Sequence, residues 1–124
     1  MAKTFDEKLA EARAQVPSIS ADEAKQLLQR PGGTVFVDPR DAEDIEGTGK
    51  IPTALNICLR DLEDKPLAQL STILGGLDRT IVTACGMGPM GALAAHSLKR
   101  RGYRNVAFIE GGTQGWIAAG YPAC

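Results

Sequence analysis

The sequence of 124 residues is poor in aromatic side chains, carries almost no net charge and has no long apolar run. Phenylalanine, tryptophan and tyrosine make up 5% of the residues, which argues against a stacking surface for single-stranded nucleic acid. Fourteen basic and fifteen acidic residues leave a net charge of -1, so no long-range attraction to nucleic acid or to an anionic membrane is expected. No apolar run approaches the roughly 20 residues that a membrane span requires.

Cysteine and histidine are also scarce. The three cysteines, Cys58, Cys85 and Cys124, are widely spaced and form no CxxC pair, so the sequence predicts neither a disulfide framework nor a metal site, and no cofactor. Cysteines outside disulfides are typical of a reducing compartment. Residues 1–8 lack the apolar segment of a signal peptide. These absences together predict a cytoplasmic protein.

The rest of the composition is that of an ordinary globular protein, with 44% hydrophobic and 23% charged residues. A chain of this length suits one compact domain over residues 1–124. Residues 3–15 place apolar side chains at helical spacing, which predicts an amphipathic helix. This N-terminal segment, residues 1–17, is expected to pack on the domain or to flank it.

After that helix, short apolar runs rich in β-branched residues alternate with helical segments. The predicted strands are residues 34–37, 54–57, 80–84 and 106–109. The predicted helices are residues 21–30, residues 60–74 in two pieces, residues 89–101, and a short last helix that ends near residue 120. Such alternation favours an α/β fold, in which helices cover both faces of a parallel sheet.

Polar or reactive side chains follow three of the predicted strands. Asp38, Cys85 and Glu110 each come directly after a strand. In folds of this kind the functional site lies at the carboxyl ends of the parallel strands. We therefore expect these three residues to share one edge of the sheet.

Cys85 begins a glycine-rich loop, which is the clearest chemical signal in the chain. Residues 83–91 are TACGMGPMG, and a helix is predicted from about Pro89. Glycines allow successive backbone N–H groups to turn inward and form a nest for an anion. The N-terminus of the next helix points to the same place, and both features stabilise a thiolate or a bound oxyanion. A small, inert cysteine at a strand end is the alternative, but the loop favours a reactive thiol.

Four segments, in the same order along the chain, resemble the rhodanese-like sulfurtransferases. Residues 85–90 resemble the six-residue active loop of that family, and residues 37–40 resemble its strand-end Asp-x-Arg signature. Residues 49–57, GKIPTALNI, resemble its Gly-His-Ile-Pro-Gly-Ala-x-Asn-Ile segment. Residues 110–116, EGGTQGW, resemble its closing Glu-Gly-Gly-x-x-x-Trp segment. The resemblance covers nearly the whole chain.

The resemblance implies a three-layer α/β/α fold around a central, mostly parallel five-stranded sheet. It also implies that Cys85 accepts sulfane sulfur from a donor as a persulfide and passes it to a nucleophile. The loop whose amides and side chains would bind the substrate consists of Gly86, Met87, Gly88, Pro89, Met90 and Gly91. The side chains that would support the site from neighbouring loops are Asp38, Arg40 and Arg60.

The loop differs from that of many family members in its charge. Those members carry arginines at the positions of Gly86 and Met90, and the histidine of their Gly-His-Ile-Pro segment is Lys50 here. Thiosulfate would therefore meet no fixed positive charge in the loop, and a neutral or protein-bound persulfide donor fits it better. Arg40 or Arg60 could supply a cation from a neighbouring loop, but an ion pair that braces Asp38 is the favoured role for Arg40.

A phosphatase branch belongs to the same superfamily. Its members use a longer loop that ends in an arginine, which clamps the phosphate group. The corresponding residue here is Gly91, which has no side chain. Because phosphoryl transfer needs strong charge compensation on the equatorial oxygens, the sequence argues against a phosphatase.

Other candidate residues have a simpler structural explanation. His96, the only histidine, lies off the apolar face of its predicted helix, so we expect it to face solvent rather than to activate Cys85. Cys58 could resolve a persulfide from the same edge of the sheet, although an inert, half-buried thiol is the favoured interpretation. Glu110 could line the mouth of the site or act as a carboxylate that caps or braces a loop. Trp116 is expected to anchor the core.

The sequence therefore predicts a sulfurtransferase. Its expected partners are a small sulfane-sulfur donor, either thiosulfate or a persulfide, and a thiol or cyanide acceptor. The donor or the acceptor could also be a protein, whereas no nucleic acid and no membrane partner is expected. The alternative is a non-enzymatic persulfide carrier or a regulatory module that docks on a partner protein. A catalytically idle structural domain is the third possibility.

Overall fold

The computed structural model describes residues 3–30, 33–86 and 89–124 of the chain. Its strands are β1 (Ser18–Ile19), β2 (Thr34–Asp38), β3 (Leu55–Asn56), β4 (Thr80–Thr83) and β5 (Asn105–Ile109). Its helices are α1 (Phe5–Gln15), α2 (Ala21–Gln29), α3 (Ala42–Glu46), α4 (Leu59–Asp64), α5 (Leu67–Leu74), α6 (Pro89–Arg100) and α7 (Gly112–Ala118). Pro31 and Gly32, which directly follow the predicted helix of residues 21–30, lie outside the described residues.

The strands form one five-stranded sheet in the order β1-β5-β4-β2-β3. Every neighbouring pair is parallel. The registers place Val37 opposite both Leu55 and Thr83, and Thr83 opposite Phe108. The predicted α/β class and the five-stranded parallel sheet are thereby confirmed, and the carboxyl ends of β2, β4 and β5 meet at one edge.

Helices cover both faces of the sheet because the inner strands are apolar on both sides. Alternate residues of the strands enter two separate cores. One core lies under α1, α4, α5 and α6, and receives Val37, Ile81 and Phe108 from the strands. The other lies under α2 and α7, and receives Phe36, Val82 and Ile109 together with the fully buried Trp116. Trp116 is thus a core side chain, as predicted.

Two helices begin with the same reciprocal cap. Ser20 Oγ accepts a hydrogen bond from the backbone N–H of Glu23, whose carboxylate accepts one from the N–H of Ser20. Thr4 and Glu7 form the same arrangement at the start of α1. Such caps satisfy N–H groups that have no partner inside the helix.

The helix α1 packs on the body through its C-terminal half. Ala12 is buried in the core under α6, whereas Phe5, in the first turn, is 56% exposed. The apolar face that the sequence pattern predicts is therefore buried in the second half of α1 but exposed in its first turn. None of the helices within residues 3–30, 33–86 and 89–124 is long and apolar enough to cross a membrane.

Candidate active site

Cys85 lies just beyond the carboxyl end of β4, in the middle of the sheet. The backbone N–H of Ala84 still donates to the carbonyl of Val37, at 3.0 Å, so the chain leaves the sheet only at the cysteine. The side chain of Cys85 is almost completely buried. The three cysteines, all within the described residues, form no disulfide. Of the predicted loop residues, Met87 and Gly88 lie outside the described residues, so the loop is described at its two ends.

The first turn of α6 lies directly against the end of β4. Thr83 Oγ1 donates a hydrogen bond to the carbonyl oxygen of Gly91, at 2.5 Å. A Cβ atom at Gly91 would lie 3.5 Å from the backbone nitrogen of Cys85. A long side chain at position 91 would therefore have to point away from the backbone of Cys85. The N-terminus of α6, which has the positive end of the helix dipole, is therefore beside Cys85.

The opposite end of the loop is held by the helix α7. The backbone N–H of Thr113 donates to the carbonyl oxygen of Cys85 at 2.5 Å, and that of Gln114 donates to the carbonyl of Gly86 at 2.9 Å. Glu110 precedes this helix and forms an exposed ion pair with Arg13 of α1, at 2.7 Å. The sequence did not predict the Thr113 and Gln114 contacts, since they depend on the placement of β5 next to β4.

Asp38 and Arg40 form a buried ion pair at the carboxyl end of β2. Arg40 Nε and Nη2 donate to the carboxylate at 3.0 and 2.7 Å, and the backbone N–H of Arg40 donates to the same carboxylate at 3.1 Å. The residues are 1% and 6% exposed. Arg40 also bonds to Thr48 Oγ1 and to the carbonyl of Gly49, at 2.6 and 2.8 Å. The bracing interaction between the two side chains is present.

Arg40 also reaches the cysteine loop. Its Nη1 would lie 3.5 Å from a Cβ atom at Gly86. The hydrogen bonds that Arg40 donates to Asp38, together with the electrostatic interactions of Arg40 with Asp38 and Cys85, raise the pKa of Arg40, while burial opposes this shift. A permanent cation therefore adjoins the loop, so bracing and proximity to Cys85 are compatible roles for the same side chain.

The remaining predicted site residues are Pro89 and Met90, at the start of α6, and Arg60, in α4. Pro89 and Met90 form the first turn of α6, where Pro89 is exposed and Met90 is half-buried. Arg60 is an exposed residue of α4 and makes no hydrogen bond or ion pair within the described residues. No group of three or more histidine, cysteine, aspartate or glutamate side chains in the described ranges is arranged to hold a metal ion.

Cys58 caps the N-terminus of α4 just after β3, and its side chain is half-buried. The strand β2 separates β3 from β4, so Cys58 and Cys85 follow strands that are not neighbours in the sheet.

His96 is half-buried in α6, about 10 Å along the helix from Pro89. It lines a groove of about 490 Å³ between α1, α4 and α6. The charged groups in this groove are Lys3, Lys8, Glu11, Glu63 and Arg100. Burial, followed by the positive charges of Arg100, Lys3 and Lys99, lowers the pKa of His96.

The lowered pKa of His96 predicts a pH dependence of stability. The unfolded chain binds a proton to this histidine at a higher pH than the folded chain does, so stability is lost as pH falls below about 6.5. We expect the free energy of unfolding, from urea titrations, to decrease between pH 7.5 and pH 5.5. In His96→Gln this decrease should be smaller. An equal decrease in both proteins would show that other groups cause it.

Comparison with known proteins agrees with this architecture. A family model described as the rhodanese-like domain matches residues 20–119. A structure described as a protein of unknown function and possible tyrosine phosphatase, from Rhodopseudomonas palustris CGA009, is 29% identical with a TM-score of 0.87, over 100% of this chain and 96% of that chain. The human single-domain sulfurtransferase is 27% identical with a TM-score of 0.69, over 83% of this chain and 96% of that chain.

A third structure supports the fold alone. The polysulfide-sulfur transferase homodimer from Wolinella succinogenes is 24% identical with a TM-score of 0.77, over 97% of this chain and 86% of that chain. Among curated proteins, none matches the sequence. The match of the family model covers the cysteine loop and every strand except β1, and the chain therefore belongs to the rhodanese-like domain family.

Proposed function

We propose that the protein is a sulfurtransferase that carries sulfane sulfur as a persulfide on Cys85. The observation that carries this proposal is the position of the buried Cys85 beside the N-terminus of α6, with the guanidinium of Arg40, paired with Asp38, next to the loop. The helix terminus favours the anionic forms of sulfur, the thiolate and the terminal sulfur of a persulfide. The likeness to the human single-domain sulfurtransferase supports the same activity.

The reaction consists of two sulfur transfers that need no oxidant. In the first, the Cys85 thiolate attacks the outer sulfur of the donor, the sulfur–sulfur bond of the donor breaks, and the remainder of the donor leaves with the electron pair. In the second, an acceptor thiolate or cyanide attacks the outer sulfur of the Cys85 persulfide. The bond between the two sulfurs then breaks, and the Cys85 thiolate is regenerated.

The charges around the site favour a persulfide over thiosulfate as the donor. Residues 85–91 contain no cationic side chain. The charge of Arg40 is neutralised by Asp38, and Nε, Nη1 and Nη2 of Arg40 all donate to acceptors of the chain itself. A dianion such as thiosulfate would meet little uncompensated positive charge there. A small-thiol persulfide, or a persulfide on a partner protein, has less charge to compensate.

The donor preference tests the enzymatic function. With cyanide as acceptor, we expect thiocyanate to form faster from a small-thiol persulfide than from thiosulfate at equal concentrations. Arg60→Ala should leave both rates unchanged, because the side chain of Arg60 is exposed and makes no hydrogen bond or ion pair with the described residues. Faster turnover of thiosulfate would refute the preference. Sulfur uptake without steady turnover would favour the alternative, a persulfide carrier or a regulatory module that docks on a partner protein.

A phosphatase is a second candidate, because the structure from Rhodopseudomonas palustris is described as a possible tyrosine phosphatase. The position that would carry a phosphate-clamping arginine is Gly91, which is buried against β4. Arg40 is bound to Asp38 and cannot clamp an oxyanion without giving up that pair. Phosphoryl transfer requires charge compensation of the kind that this site lacks. Sulfur transfer therefore accounts for the site better.

A further inference from the structure

The chain reverses sharply between β5 and α7, and two glycines make this possible. Gly111 and Gly112 have φ angles of 80° and 61°, in the left-handed region that glycine adopts without strain. The turn is also tightly packed, since a Cβ atom at Gly115 would lie 2.8 Å from the carbonyl oxygen of Glu110. The first N–H groups of α7 consequently face the loop that follows β4.

These N–H groups determine the orientation of the peptide after the cysteine. The N–H of Thr113 holds the carbonyl oxygen of Cys85 at 2.5 Å. The peptide group is planar and trans, so its C=O and N–H point in opposite directions. The N–H of Gly86 must therefore point away from α7. The helix α7 thus directs one of the loop amides that would stabilise sulfur in the site.

Thr113 has a second unusual feature. Its side chain is fully buried, and its Oγ1 has no hydrogen-bond partner within the described residues. This hydroxyl is three covalent bonds from the nitrogen that contacts Cys85. A buried hydroxyl without a partner costs free energy, and valine would fill similar space without that cost. Such a group in a native structure calls for a physical explanation, and a role in the chemistry of the site is one of them.

We propose that the hydroxyl of Thr113 donates a hydrogen bond to the outer sulfur of the Cys85 persulfide. This inference rests on the proposed function, since it concerns the sulfur-loaded state. In the unloaded state the backbone N–H of Thr113 orients the loop, and the hydroxyl has no acceptor among the described residues. When sulfur is added to Cys85, the new terminal sulfur supplies an anionic acceptor on the residue whose carbonyl Thr113 already contacts.

Three replacements of Thr113 separate the roles of its hydroxyl and its shape. Thr113→Val keeps the branched shape and removes the hydroxyl, whereas Thr113→Ser keeps the hydroxyl. The matched control is Tyr103→Phe, which removes a second buried hydroxyl that has no hydrogen-bond partner in the described part of the chain. Tyr103 precedes the amino end of β5, at the sheet edge opposite to Cys85. Thr113→Ala removes both shape and hydroxyl, and it serves as the reference for simple loss of packing.

The loaded fraction of Cys85 is measured at a fixed ratio of small-thiol persulfide to thiol, by trapping with an alkylating agent and intact mass. In this exchange the outer sulfur moves to Cys85 and the donor leaves as a thiolate. We expect Thr113→Val to lower the equilibrium constant for loading roughly tenfold, the effect of one hydrogen bond to a charged acceptor. Thr113→Ser should restore it, and Tyr103→Phe should not change it. The alkylation rate of the unloaded cysteine should equal the wild-type rate in Thr113→Val, Thr113→Ser and Tyr103→Phe.

Three results would overturn the inference. The first is an unchanged loading constant in Thr113→Val while the wild-type protein loads normally. The second is equal loss of loading in Thr113→Val and Thr113→Ser. The third is a parallel fall in loading and in alkylation of the unloaded thiol, which would indicate that only the shape of the site had changed. Absence of loading in the wild-type protein would instead refute the proposed function itself, and this inference with it.

Discussion

The Cys85→Ser variant should take up no sulfur from a persulfide donor. Delivery of sulfur to a thiol or to cyanide should fall by roughly a thousandfold or more, because a serine hydroxyl is a poor nucleophile at neutral pH and forms no persulfide. The substitution keeps the size of the buried side chain nearly unchanged, so the fold should persist. Sulfur transferred per unit time gives the activity, and circular dichroism verifies that the variant is folded.

Cys58→Ser is the matched control for this variant. Cys58 also follows a strand of the sheet and is half-buried, but β2 separates it from the strand that carries Cys85. Its replacement should leave sulfur uptake and transfer at the wild-type level. Loss of uptake in Cys58→Ser, or retention in Cys85→Ser, would show that the reactive thiol has been misassigned.

Asp38→Asn should destabilise the protein by about 3–5 kcal/mol. The carboxylate accepts hydrogen bonds from Arg40 Nε, Nη2 and backbone N–H, and both residues are almost completely buried. The variant keeps the shape of Asp38 but leaves the guanidinium of Arg40 as an uncompensated buried charge, which is the costly step. Urea unfolding of both proteins at neutral pH measures the difference in the free energy of unfolding.

Two further variants test the cause of that loss. Asp78→Asn removes a carboxylate from an ion pair with Arg104 whose side chains are 79% and 70% exposed, and it should cost less than about 1 kcal/mol. The double variant Asp38→Asn/Arg40→Gln removes both charges of the buried pair, so its loss should be smaller than the sum of the two single losses. Equal costs for the buried and the exposed carboxylate, or strict additivity in the double variant, would contradict this explanation.

Much of the fold can be predicted from apolar runs. The segments around Phe36, Val82 and Ile109 are β-branched or aromatic and buried on both faces, and the structure has strands at all of them. The strand β1 was not predicted, because two residues show no periodicity and Ser18 and Ile19 are extended only through pairing with β5. Pairing between segments distant in sequence is a tertiary property that local patterns do not contain.

The sequence named residues of the candidate site, but it did not predict most of the contacts between them. Glycines after a strand indicated the loop at Cys85, and the Asp-x-Arg pattern indicated Asp38 and Arg40. The sequence favoured bracing of Asp38 as the role of Arg40 over approach to the cysteine, whereas this long side chain does both in the folded protein. The contact of Thr113 with Cys85 was missed, because it depends on the order of strands in the sheet.

The central claim is that Cys85 carries sulfane sulfur. The measurement that tests it most directly is the intact mass of the wild-type protein after incubation with a small-thiol persulfide, followed by peptide mapping. The predicted result is the gain of one sulfur atom that maps to Cys85 and disappears when cyanide is added. No gain of sulfur from any persulfide donor or from thiosulfate, or a gain that maps to Cys58 or Cys124 instead, would contradict the claim.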